Sequence, residues 1–248
     1  MEIFHKLISF LPDARIQSVP IGLFWTAVVV EVNGSPRCGL AATMSNNEFE
    51  HAGQPAVEDT GHLEQHSALE LANLVFSESH TEAALGLATI NALLPPIDNA
   101  VDLPAEDYIA RQGAGCRVAV IGHFPFVTRL RDQVKELWVL ELNPKEGDHP
   151  ASAAPGIIPR ADILAITATT LINHTFEGIF KLRKAGARVL LLGPSTPLSP
   201  ILFDHGIDVL SGTIVDEPDA VLPLVRQGAT FRQIRKQGVR LVTLESPR

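Results

Sequence analysis

The amino-acid sequence predicts an α/β protein: a small α+β domain, residues 1–95, followed by a doubly wound, mainly parallel sheet, residues 96–248. Three observations carry that prediction. Beyond residue 104, short β-branched runs alternate with helical patterns, which implies parallel strands joined by right-handed crossovers. Before residue 44, Phe24-Trp-Thr-Ala-Val-Val-Val-Glu-Val32 ends in Asn33-Gly34, a strong hairpin signal, and Pro36-Arg-Cys-Gly-Leu-Ala-Ala-Thr43 returns. Between the two regions, Pro95-Pro-Ile-Asp-Asn-Ala-Val-Asp-Leu-Pro104 has three prolines and no helical period, as a linker does.

The elements follow in order. Residues 1–12 read as a short helix rather than a signal peptide, because there is no basic leader or small-residue cleavage site and Glu2 interrupts the apolar run. Residues 13–43 read as antiparallel β-structure and 44–62 as a long loop. Leu69, Ala72 and Phe76 share one face of a helix over 66–76. Thr81 opens a second helix that runs to Leu94 and is stopped by Pro95-Pro96. Its alanines and Gly86 predict close packing against a sheet. Strands are expected at 117–121, 137–142, 162–167, 187–192 and 207–211, and helices at 126–135, 174–185, 198–204 and 217–227. Residues 239–244 form a final edge strand.

Composition narrows the function. The chain of 248 residues carries a formal charge of −8, which argues against nucleic acid as the main partner. Arg232, Arg235, Lys236 and Arg240 read as a solvated helix face. No apolar run is long enough to span a bilayer, so no membrane partner is expected. Two cysteines, Cys38 and Cys116, lie in different predicted domains, which fits a reducing cytoplasm better than a disulfide.

In an open parallel sheet, ligands bind beyond the carboxyl ends of the strands. The first such end reads Gly122-His-Phe-Pro-Phe126. A dinucleotide loop would hold three glycines there; two phenyl rings and a proline replace them. Glu141 ends the second strand, followed by Asn143. It stands at about the 20-residue spacing from Gly122 at which an acid binds a ribose diol, with an exposed strand-end acid as the plainer alternative. Thr167, Thr169, Thr170, Asn173 and Thr175 crowd the third strand end. There Thr175 or Asn173 can cap a helix whose N-terminus favours an anion, or simply cap it. Gly193-Pro-Ser-Thr-Pro197 follows the fourth strand and presents Ser195 and Thr196 on a stiff loop. His123 is a candidate metal ligand or general acid/base, the alternative being a packed histidine. His62 and His66, with Glu58, Asp59 and Glu64 nearby, have the spacing of a metal pair, although surface histidines are the plainer reading. There is no nucleophile elbow, Walker loop, zincin helix or paired C-x-x-C motif.

Five ordered segments together resemble a known family: Gly39-Leu-Ala-Ala-Thr43, Ala84-Leu-Gly-Leu-Ala-Thr-Ile-Asn-Ala92, Val118-Ala-Val-Ile-Gly-His-Phe-Pro125, Ile166-Thr-Ala-Thr-Thr-Leu-Ile-Asn-His-Thr175 and Gly193-Pro-Ser-Thr-Pro197. The resemblance is to the prokaryotic proteins of unknown function named for heavy-metal chelation. It implies an enolase-N-terminal-like domain followed by a Rossmann-like one, a pocket between them, a homodimer, and a role in metal or metal-cofactor metabolism. The chain has no dense Cys/His set for a bare soft ion, so a metal already held in an organic chelate suits it better.

The expectation is therefore a cytoplasmic protein that binds a metal chelate or its organic ligand in an interdomain cleft. Phe124 and Phe126 would supply apolar surface, and Glu141 and Asn143 polar contacts. Residues 167–175 would hold an anion. Residues 122–126 would form one wall, Gly193, Pro194 and Ser195 would also contact the ligand, and Thr43 and Asn91 would close the cleft. Two alternatives stay open: an enzyme using an adenosine-type cofactor such as S-adenosylmethionine, and a non-catalytic sensor or carrier.

Overall fold

Apolar spacing shapes the first elements of the computed structural model, which describes residues 2–46, 53, 55–97 and 99–247. Helix α1 (Glu2–Ser9) buries Ile3, Phe4 and Leu7. Strands β1 (Arg15–Ser18), β2 (Trp25–Val32) and β3 (Ser35–Ala42) form an antiparallel sheet in that order. Asn33 (φ 53°) and Gly34 (φ 75°) make the tight turn that the Asn-Gly pair predicts. The loop expected over 44–62 falls partly outside the described residues, at 47–52 and 54. Helix α2 (Ala68–Asn73) starts at a capping box between Ser67 and Glu70 and runs into a 3₁₀ turn, Leu74–Phe76. Helix α3 (His80–Leu93) is buried on nearly every side, as an apolar helix of the interior must be.

A second run of elements builds the larger sheet. Helix α4 (Ala105–Gln112) precedes β4 (Arg117–Ile121), α5 (Val127–Leu130), β5 (Glu136–Glu141), β6 (His149–Pro150), α6 (Ala154–Ile157) and β7 (Ile163–Thr167). Then come α7 (Thr169–Ile172), α8 (Phe176–Lys181), β8 (Arg188–Leu192), β9 (Val209–Val215), α9 (Pro218–Arg226), α10 (Phe231–Ile234) and β10 (Val239–Glu245). The seven strands lie in the order β10-β9-β8-β7-β4-β5-β6, and all are parallel except β10, which pairs antiparallel with β9 at one edge. This is the doubly wound sheet predicted by the β/α alternation. The chain moves outward from β4 through β5 and β6, then returns to β7, so the switch point lies between β4 and β7.

Several expected elements are shorter than their patterns. The helix over 126–135 closes after one turn, because only Val127 and Leu130 offer it an apolar stripe. The helix over 174–185 shrinks to α8, and His174, whose φ of 58° is left-handed and whose Nε2 bonds the Val75 carbonyl at 2.9 Å, parts it from the unexpected turn α7 before it. A 3₁₀ turn, Pro200–His205, replaces the helix at 198–204. Helix α4 was missed, although Pro104 and the first-turn acids Glu106 and Asp107 announce it. Within the proline-rich 95–104 stretch, Val101 exchanges two backbone hydrogen bonds with Thr243 of β10 (2.9 and 2.8 Å).

The two sheets are joined by shared cores. Five successive residues of β2, Thr26–Val30, are buried, because α3 covers one face of the small sheet and α9 the other. A single apolar cluster contains Phe4, Val30, Leu87 and Ile90 as well as Ile121, Leu164 and Leu191 of the large sheet. Gly39 lets α3 cross β3 closely: a Cβ there would lie 2.0 Å from the Ala88 carbonyl oxygen. Gly86, expected against a sheet, instead meets the backbone of the 74–76 turn, with a Cβ position 2.1 Å from Val75 N. Polar bonds fasten the same seam. The Ala42 N–H donates to Ser195 Oγ at 2.8 Å, and Asn91 Nδ2 donates to the carbonyls of Leu40 (2.9 Å) and Ser195 (3.1 Å).

Candidate functional site

The carboxyl ends of β4, β5 and β7 open into a cavity of about 540 Å³. It brings together ten of the residues singled out from the sequence: Gly122, His123, Phe124, Glu141, Asn143, Thr167, Thr169, Thr170, Asn173 and Thr175. Ile121, Leu140, Leu142 and Ile179 supply apolar wall, and Met44 reaches it from beyond β3.

Glycine is required at two of the strand ends. Gly122 (φ +98°) and Gly193 (φ +110°) are both left-handed, which lets the chain leave β4 and β8 sharply. The Phe124 ring lies across both of them: a Cβ at Gly122 would be 3.5 Å from the ring, and one at Gly193 4.0 Å. It stacks on Phe126, with centroids 5.1 Å apart and planes 15° apart. The bulky residues that replace a phosphate-binding loop thus fill the space where a pyrophosphate would meet backbone. Phe124 also partitions the region. Phe126, Gly193 and Pro194 line a neighbouring cavity of about 260 Å³ on its other side.

Glu141 organises the loop above the cavity. Its Oε2 accepts the His123 N–H at 2.8 Å, and its Oε1 accepts the Leu142 and Asn143 N–H groups at 2.7 and 3.5 Å. A carboxylate is the side chain that can take several such donors at once. The cause is local: β5 ends beside β4, so a strand-end acid faces the neighbouring turn.

His123 is paired with a residue that sequence reasoning missed. Its Nδ1 lies 2.8 Å from Oδ2 of Asp148, whose side chain is 1 % exposed. The Lys145 N–H donates to the same oxygen at 3.1 Å. Asp148 Oδ1 is buried with no hydrogen-bond partner. A neutral imidazole that donates Nδ1–H to a carboxylate keeps its lone pair on Nε2, the arrangement of an oriented metal ligand or general base. The acid-bearing turn 145–148 after β5 was the available signal. Met44 offered none, since a lone methionine after a strand has no pattern.

Other expectations are corrected. Thr43 does not line the cavity; its hydroxyl pairs with Thr26 Oγ1 at 3.0 Å. Asn91 lines a separate cavity, because its amide is turned toward Leu40 and Ser195. Ser195 and Thr196 are not presented to solvent: each is 2 % exposed, folded under the small sheet. The predicted cap does not form at α8. Asn173 Oδ1 accepts from Thr175 Oγ1 at 2.7 Å, and neither side chain caps a helix N–H. The α7 and α8 helices are too short for an anion site. Thr170 is spent locally, donating to the Thr167 carbonyl at 2.6 Å.

His66 is occupied by Asp59 at 2.7 Å and lies 3.7 Å from Glu70, while His62 pairs with Gln65, so the two histidines do not share a ligand site. Arg240, expected on a solvated helix face, is exposed but lies on β10, where Asp216 and Asp102 clamp it and their carboxylates raise its pKa further. Cys38 and Cys116 are free, and burial pushes the Cys38 thiol up to about 12. Among the described residues, no group of three or more His, Cys, Asp or Glu side chains could hold a bare metal ion. No helix among them is long and apolar enough to cross a membrane.

Comparison with known proteins shows what the chain as a whole is similar to. An uncharacterized protein of Methanocaldococcus jannaschii is 26 % identical over 221 residues, covering 86 % of this chain and 83 % of the relative. Among solved structures, a protein of unknown function from Desulfitobacterium hafniense superposes with a TM-score of 0.81 at 27 % identity, over 99 % of this chain and 97 % of that one. Another of unknown function, from Pyrococcus horikoshii, gives 0.83 at 22 % identity over 98 % of both, which speaks for the fold. Two family models, both described as "putative heavy-metal chelation", match residues 4–94 and 105–243. The second spans more than half of the chain and is that of the DUF364 family, from which both solved structures come. The chain belongs to that family.

Proposed function

We propose that the cavity at the ends of β4, β5 and β7 binds a metal held in a flat organic chelate, with His123 Nε2 as the protein's own ligand to the metal. The observation that carries this reading is the His123–Asp148 pair on an apolar wall. Asp148 fixes the tautomer and ring orientation, and Nε2 takes no hydrogen bond from the described residues. One oriented nitrogen is too few for a bare ion, which needs about four ligands, but enough for a metal whose other positions are filled. The cavity volume lies within the range of about 300–1,000 Å³ usual for small-molecule sites. Phe124, Leu140 and Leu142 suit a flat face, and Asn143 and Asn173 suit polar substituents. The adenosine reading is weaker here, because both oxygens of Glu141 already accept backbone N–H groups that a ribose diol would have to share.

The test is a spectroscopic titration with zinc protoporphyrin and an iron(III) catecholate, beside zinc and iron salts alone. At least one chelate binds with a shifted visible spectrum and raises the melting temperature, and His123→Ala weakens it by about tenfold or more, about 1.4 kcal/mol. Equal affinity for the bare salts, or unchanged binding by His123→Ala, overturns the reading.

A further inference from the structure

A second cavity, of about 310 Å³, lies on the other side of the seam between the sheets. Its walls come from the start of β3, the end of α3, the Pro95-Pro96 turn, the loop after β8, strand β9 and the edge strand β10. It shares no lining residue with the His123 cavity.

Two buried polar atoms among its lining residues have no partner. Thr196 is 2 % exposed and its Oγ1 makes no hydrogen bond. Asn91 Oδ1 is likewise orphaned, and its orientation is not in question, since Nδ2 is held by two carbonyls. Leaving such groups unsatisfied costs about 1–3 kcal/mol each, so two on one cavity mark a place where something else binds. One water does not explain the space, because a water claims only about 30 Å³.

Charge narrows the occupant. Arg240 is held on the rim by two carboxylates, those of Asp216 and Asp102. Arg37 makes no ion pair among the described residues and donates only to the Leu94 carbonyl, at 3.3 Å. Arg37 is therefore the lining cation with no acid of its own, and it can take one carboxylate. Asn91 Oδ1 needs a donor, while the Thr196 hydroxyl can give or accept. Leu94, Ile97, Leu198 and Ile214 supply apolar wall. Cys38 also lines the cavity, where burial favours its neutral thiol.

We propose that this cavity is a second ligand site for a small 2-hydroxycarboxylate with an aliphatic tail. The carboxylate lies against Arg37, the hydroxyl donates to Asn91 Oδ1 and meets Thr196 Oγ1, and the tail packs on the leucines and isoleucines. This site stands independently of the chelate reading.

Isothermal calorimetry on the full chain tests it with three matched probes. These are 2-hydroxyisocaproate, 4-methylpentanoate, which lacks the hydroxyl, and leucine, which carries an ammonium in its place. The hydroxy acid binds, and the other two bind about tenfold more weakly or worse. Arg37→Gln and Thr196→Val, each checked for folding by its melting temperature, weaken the hydroxy acid by a similar factor. Thr196→Val keeps the side-chain shape, so its loss reports the hydroxyl, and Arg37→Gln decides the matter if the valine variant fails to fold. No binding of the hydroxy acid at millimolar concentration, equal binding of 4-methylpentanoate or leucine, or an unchanged Arg37→Gln overturns the proposal.

Discussion

Replacing Gly86 by alanine sets two known effects against each other. Inside a helix, alanine is favoured over glycine by about 1 kcal/mol. At Gly86 the added Cβ would sit 2.1 Å from Val75 N and 2.8 Å from both Leu74 C and Val75 Cα. All three are backbone atoms of the 3₁₀ turn that rests on α3, so no rotamer change relieves the collision. Overpacking costs about 1–3 kcal/mol even where side chains can yield, and a rigid backbone neighbour places this site at the upper end. The net expectation is destabilisation by about 2 kcal/mol, which lowers the melting temperature by about 4–8 °C in a protein of this size. Gly178, in α8, is the control: nothing lies within 4 Å of its Cβ position, so Gly178→Ala follows propensity and gains about 0.5–1 kcal/mol. Thermal and urea unfolding followed by circular dichroism read both. A Gly86→Ala protein as stable as the parent would refute the close-approach argument.

Two further outcomes follow from the same geometry. Glu141→Gln leaves one oxygen to serve N–H groups that now have two, so stability falls by about 1–2 kcal/mol and the His123 loop loosens; an unchanged melting temperature would show that the loop does not depend on this carboxylate. His80 has its pKa lowered, first by burial and then by the charge of nearby His174. The unfolded chain therefore takes up this proton more readily. The stabilisation is complete above the ordinary value of 6.5 and is lost as pH falls below it through the folded value. In melting curves across that window, His80→Gln should flatten the acid-side decline, and a curve parallel to the parent's would exclude the effect.

Much of the fold is written in local pattern. Strands β4, β5, β7 and β8 are short apolar runs bounded by turn residues, and the Asn33-Gly34 hairpin needs two positive φ angles that those residues tolerate. The site was legible where it depends on topology, because strand ends in a parallel sheet converge whatever their residues. It was not legible where it depends on how loops fold back. Asp148 reaches His123 only because the 145–148 turn curls over β5. Asn91 faces another cavity and Thr43 is turned to Thr26, because sequence does not reveal which way a polar group at a buried seam points. Glu141 lines the cavity at the strand end where its spacing put it, and the backbone N–H groups that its oxygens accept are a role that spacing does not reveal.

The seam has a consequence for how any ligand arrives. Helix α3 and the small sheet are buried in cores shared with the large sheet, and Asn91, Ser195 and Ala42 stitch the boundary with hydrogen bonds. Swinging the halves apart would tear apolar surface open to water, so hinge opening on the microsecond-to-millisecond scale is a costly route. A ligand would instead pass the side chains that line the cavity, Met44, Phe124 and Leu142 among them, whose rotamers and loops rearrange in nanoseconds to microseconds. Association rates should then be insensitive to mutations along the seam and sensitive to the size of the side chains at the mouth.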